Sequence, residues 1–138
     1  MSQIKKRSEC PISCSLDIWG DKWSLLIIRD MIFYKKSSYG EFLKSPEGIA
    51  TNILASRLQN LEENGIIGKS EHPDSKAKFL YKLTEKGIDL IPIFVEIHLW
   101  YAKYSGVPAE FKAAVSAATQ DKEAYVRSIK DAWRKAAS

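Results

Sequence analysis

The run Ala50-Thr51-Asn52-Ile53-Leu54-Ala55-Ser56-Arg57-Leu58-Gln59-Asn60-Leu61-Glu62-Glu63-Asn64 decides how this chain is read. Leu54, Leu58 and Leu61 fall at the i, i+4, i+7 spacing of one helical stripe, while Asn52, Ser56, Gln59 and Glu63 fall on the other side. Gly65 ends the helix. Thr51, Asn52, Ser56, Arg57 and Asn60 are side chains that bond base edges or phosphates without presenting repelling charge. Any amphipathic surface helix also has a polar outer face, so the flanking sequence has to separate the two readings.

Upstream, Ser37 and Ser38 offer a cap for a short helix through Glu41, Phe42 and Leu43, closed by Ser45, Pro46 and Gly48. A short helix, a tight turn and a second helix with one apolar stripe describe a helix-turn-helix, whose second helix fits the roughly 12 Å major groove. Downstream, Ile66 to Glu71 and Lys78 to Leu83 read as strands joined through Pro73, Asp74 and Ser75, with Phe79, Tyr81 and Leu83 turned inward. This hairpin is the expected wing. Lys76 and Lys78 near its tip either meet phosphates or simply solvate a turn.

Further out, Pro11 opens a first helix that Gly20 stops, and Lys22 to Tyr34, apolar on nearly every face, is a helix for the middle of a core. Thr84 opens a long helix to about Tyr104, with a kink expected at Pro92. Two more helices follow, Ala109 to Thr119 and, behind the cap Asp121, Lys122 to Ala136. The expected fold is therefore mainly α with a small β-hairpin: a dimeric winged helix-turn-helix with extra C-terminal helices. Residues 1–104 are read as the DNA-binding domain with its N-terminal dimerisation helix, and 105–138 as a helical dimerisation extension.

The 138 residues are enough for one well-packed domain, and 21 Lys plus Arg against 17 Asp plus Glu permit a nucleic-acid partner without demanding one. Two cysteines four residues apart do not make a disulfide framework, and no apolar stretch suits a signal peptide or a membrane span, so a cytoplasmic protein is expected. His72 and His98 lack a cysteine or acidic partner at metal-ligand spacing. No phosphate loop or Gly-x-Ser-x-Gly elbow is present. Neither an enzyme nor a cofactor or metal is expected; a Cys10-based peroxidase is the enzyme alternative.

Cys10-Pro11, Gly20-x-Lys22-Trp23-Ser24-Leu25-Leu26-Ile27-Ile28-Arg29, Tyr39-x-Glu41-Phe42, Gly48-Ile49, Leu54-x-x-Arg57-Leu58-x-x-Leu61-Glu62-x-x-Gly65-Ile66 and Tyr81-x-Leu83-Thr84-Glu85-Lys86-Gly87 stand in order along the chain. This set resembles the HxlR-type transcription regulators over about residues 10 to 104. The resemblance implies a homodimer that binds double-stranded operator DNA in a bacterial cytoplasm, expected to act as a repressor, with the first helix and the helices after the wing forming the dimer contact. It places Thr51, Asn52, Ala55, Ser56 and Arg57 at DNA-facing or phosphate-facing positions and the wing's basic position on Lys78. It also implies control by a small-molecule effector or by redox chemistry. Two departures stand out: Ala50 replaces a common Ser cap, and Thr51, Asn52 and Ser56 replace residues often Gln or Lys.

Cys10 holds the family's cysteine position. A thiol at a helix N-terminus near Lys5, Lys6 and Arg7 has its thiolate favoured, so it is either a sensor of oxidants or electrophiles or a small packed hydrophobe. Cys14 is read as packing. Trp19, Trp23, Trp100, Tyr101 and Tyr104 are read as core, with an effector pocket at the dimer contact as the alternative. A winged helix that docks protein without binding DNA is the alternative to the whole functional reading.

Overall fold

The computed structural model describes residues 6–137, without the side chains of Lys76, Ala77 and Ala137. The chain packs as two compact units, Met1–Glu85 and Lys86–Ser138. This division falls earlier than the one expected after Tyr104, because the helix ending there packs with the two helices that follow it.

In the first unit, α1 (Pro11–Trp19) begins at Pro11, whose fixed φ and missing N–H suit a helix's first turn. The next helix, α2 (Lys22–Tyr34), is capped by Asp21, whose side chain accepts from the Ser24 backbone N–H. It buries Ile27, Ile28, Met31 and Ile32, as its all-round apolar pattern predicts. Helix α3 (Tyr39–Leu43) starts with a capping box: Ser38 Oγ accepts from the Glu41 N–H, while the Glu41 carboxylate accepts from the Ser38 N–H. A turn through Gly48, at φ +72, leads into α4 (Thr51–Glu63). Leu54, Leu58 and Leu61 are buried and hold α4 to the core, where it packs on α2, α3 and α1.

Strands β1 (Ile67–His72) and β2 (Ser75–Leu83) pair antiparallel, with Ile67 opposite Leu83 and Glu71 opposite Phe79, and a register shift between Glu71 and His72. The alternation has the expected phase: Leu83 is buried and Tyr81 half-buried. Phe79, expected inward, is 39% exposed. The Lys69 ammonium stands over its ring, 4.4 Å from the ring centre. β2 also bridges back to the segment before α3, where the Tyr81 N–H donates to the Ser37 carbonyl at 2.7 Å and Leu80 pairs with Ser38.

The long helix expected from Thr84 to Tyr104 is instead two: α5 (Glu85–Ile88) and α6 (Ile91–Tyr104). Pro92 sits in the first turn of α6 rather than kinking a continuous helix, and that is where its missing N–H costs nothing. In the second unit α6 packs with α7 (Ala109–Gln120) and α8 (Lys122–Ala137), and Asp121 Oδ1 accepts from the Ala124 N–H at the start of α8. Trp100, Tyr101 and Tyr104, expected in the core, are 66%, 57% and 67% exposed.

Candidate nucleic-acid interface

With its leucines buried, α4 turns Thr51, Asn52, Ala55, Ser56, Gln59 and Asn60 to solvent. All are uncharged, so a phosphate or base edge meets no repulsion there. The N-cap position is Ala50, in extended backbone, and no side chain caps the helix. The first-turn N–H groups, one of which a Ser at this position would satisfy, are left to an outside acceptor, and the helix dipole favours an anion at the same place.

Arg57 is placed differently from the rest. It is half-buried, its Nε donates to Asp21 Oδ1 at 2.9 Å and its Nη1 to Ser56 Oγ at 3.3 Å. Burial works to raise the Asp21 pKa, but hydrogen bonds from Ser24 and Arg57 and the guanidinium charge outweigh it, and the carboxyl stands below its usual value. Arg57 thus ties the recognition helix to the cap of α2. Its Nη2 has no hydrogen-bond partner among the described residues, leaving one edge for a phosphate.

Sequence reasoning missed Tyr39, whose hydroxyl donates to the Thr51 carbonyl at 3.0 Å and so fixes where α4 begins. It missed also the cluster on Asp30, which is 2% exposed. Arg29 bonds Asp30 through Nε and Nη2 and grips Glu47 with Nη1 and Nη2 at 2.6 and 2.9 Å; Ser45 also bonds Asp30, and Lys36 Nζ reaches Ser45 at 2.9 Å. The Arg29 hydrogen bonds hold the Glu47 carboxyl down at about 2. These links fasten α2 to the turn that aims α4. A charged pattern of Arg-Asp followed by Lys and Glu was the only signal available.

On the hairpin, Lys78 is exposed beside Phe79, whereas the Lys76 side chain lies outside the described residues. Tyr39, Gly40, Lys78, Phe79 and Tyr81 line a groove of about 470 Å³ between α3 and the hairpin. Gln59, Glu62 and Lys69 line a second on the far side of Tyr81.

Cys10 is exposed at the cap position of α1. Its thiol pKa is lowered by the backbone N–H groups of Ser13 and then Ile12, not by the expected lysines and arginine. Lys6 is engaged with Glu9 at 3.7 Å, and Lys5 lies outside the described residues. Cys14 Sγ donates to the Ser8 carbonyl at 3.3 Å. Among the described residues no His, Cys, Asp and Glu side chains group as a metal site, and no helix is long and apolar enough to cross a membrane. His72 accepts from the Asp74 N–H through Nδ1, which makes it part of the turn.

A leucine-anchored helix with an uncapped start and a neutral polar face, followed by a hairpin with a basic edge, defines a winged helix-turn-helix DNA-binding protein. The HxlR-like helix-turn-helix family model matches residues 18–108, and the chain belongs to that family of transcription regulators. It is similar to the helix-turn-helix regulator sll1512 of Synechocystis, 33% identical over 89 residues that span 64% of this chain and 65% of that one. The solved structure of PA1607 matches 75% of this chain and 71% of its own, at 42% identity and TM-score 0.65. The oxidised form of the redox regulator HypR matches 71% of this chain and 100% of its own, at 29% identity and TM-score 0.62. Helices α7 and α8 extend past the family match.

Proposed function

We propose that this chain is a cytoplasmic, operator-binding repressor that works as a homodimer, setting two copies of α4 into successive major grooves about 34 Å apart on a roughly palindromic site. The observation that carries this reading is the exposed face of α4, neutral and polar from Thr51 to Asn60, with an uncapped first turn. Asn52, Ser56 and Asn60 read base edges, Thr51 and the first-turn N–H groups take a phosphate, and Ala55 offers a methyl contact. Arg57, Lys76 and Lys78 supply phosphate contacts. Exposed Ile12 and Leu16 on α1 and the aromatic stripe of α6 are apolar surface of the kind a second copy covers, with 105–138 adding to that contact.

Cys10 acts as the thiol switch. Its exposure and favoured thiolate support this, as does the likeness to HypR, a redox regulator. Binding of a duplex is tested by fluorescence anisotropy, with sites first selected from genomic fragments. Affinity falls steeply between 50 and 200 mM salt, by roughly 10³-fold for about six phosphate contacts. Affinity indifferent to salt would instead mean a protein-docking module. Peroxide releases the duplex from the native chain and leaves Cys10→Ser bound.

A further inference from the structure

We infer that the second unit carries a small-molecule site between α6 and α7 that takes an uncharged aromatic compound of one or two fused rings. The cavity holds about 490 Å³, within the size range of pockets that enclose small ligands. His98, Trp100 and Tyr101 of α6 line one side; Gly106, Phe111 and Val115 line the other. The His98 ring meets the Phe111 ring edge-on, with centres 6.5 Å apart at 65°, so two rings already stand as a corner against which a third ring packs edge-to-face.

Charge complementarity selects against ions. None of the lining side chains just named is a carboxylate, ammonium or guanidinium, and partial burial lowers the pKa of the His98 imidazole, which favours its neutral form. A neutral imidazole next to aromatic walls suits a phenolic hydroxyl or a ring carbonyl, whereas a carboxylate or ammonium entering there would lose hydration without a counter-charge. Phe111 and Val115 belong to α7, so one side of this cavity lies outside the family match. What the ligand would control rests on the regulator reading, but occupancy does not.

Calorimetry on the full chain with 1-naphthol as probe tests the site, with 1-naphthoate as the charged comparison. A Cβ at Gly106 meets nothing within 4 Å, so Gly106→Phe adds bulk at one lining position with no clash at its Cβ, and Val115→Trp adds bulk at another. The native chain binds naphthol saturably below millimolar concentration and naphthoate at least tenfold more weakly. Both filling variants lose naphthol binding at least tenfold while keeping the native circular dichroism. His98→Phe loses naphthol binding but keeps that of naphthalene. No saturable binding, equal binding of the two probes, or unchanged binding in both filling variants overturns the site. So does dissociation of a dimer by Val115→Trp with no probe bound, which would make the cavity the seat of a second copy. Salt-dependent duplex binding, measured separately, tells a failed ligand site from a failed regulator.

Discussion

Replacing Arg57 and Asp21 singly and together separates two roles that the structure gives one side chain. Asp21→Ala removes the cap of α2, worth about 1 kcal/mol. It also removes the Asp21–Arg57 ion pair, whose side chains are 41% and 27% exposed, so solvent screening holds its worth to about 0.2–1 kcal/mol. The sum is a loss of roughly 1–2 kcal/mol in urea unfolding. Arg57→Ala loses the pair, under about 1 kcal/mol, together with the exposed bond from Nη1 to Ser56 Oγ, and the double variant isolates the pair as a coupling of about 0.2–1 kcal/mol. Duplex binding separates the roles. Arg57→Ala weakens it for every sequence and flattens the slope of log affinity against log salt by about 1.8, as two lost phosphate contacts on a site that takes two copies of α4 require. Asp21→Ala, which frees the guanidinium, leaves the slope unchanged. An Arg57→Ala protein whose slope is native while its affinity falls would show that Arg57 only braces α4. Zero coupling would show that the Asp21 contact contributes nothing. The pair also carries a pH signature: the folded Asp21 pKa is depressed, so its stabilisation is complete above the unfolded value near 3.8 and disappears as pH falls through the folded one.

Leu58→Ala empties a buried position under the recognition helix and is expected to cost about 2–5 kcal/mol in denaturant unfolding, with duplex binding falling only as far as the folded fraction does. Gly48→Ala meets no atom within 4 Å but must hold φ +72, so it costs about 1–2 kcal/mol from backbone strain alone, read by the same unfolding curve. Asn52→Ala and Ser56→Ala are expected to shift base preference by about 1–3 kcal/mol at single positions in a selection assay, while Lys78→Ala lowers affinity evenly across sequences. The Cys10 thiol, with its pKa below the ordinary 9.0, reaches half-maximal alkylation at lower pH than a free cysteine, and mass spectrometry across a pH series follows it.

The helices were legible because their causes are local. Leucine spacing fixed α4, Ser38 and Glu41 wrote a capping box, and Gly20 and Gly65 marked ends. What escaped depends on tertiary context. Pro92 signals a disturbance, but whether it kinks a helix or starts one depends on Asp89 and Leu90 turning, which period alone does not reveal. Phe79 follows the right alternation, yet its burial needs an apolar neighbour over the ring, and the fold sets the Lys69 ammonium there. The site's polar face was readable residue by residue. The second job of Arg57 was not, since its partner stands 36 positions earlier. Nor was the Asp30 cluster, whose acceptor draws on Arg29, Lys36 and Ser45 at once.

Ala50 leaves the opening turn of α4 without a local partner, and this shapes the behaviour of the free protein. Amide protons of Thr51 to Ile53 should trade with deuterated solvent within seconds, then slow once a duplex is present, so the groove-facing tip becomes ordered by its target rather than before it. A Ser at position 50 would tighten that tip in advance and surrender part of the contrast between bound and unbound forms, which is the quantity a genetic switch works on.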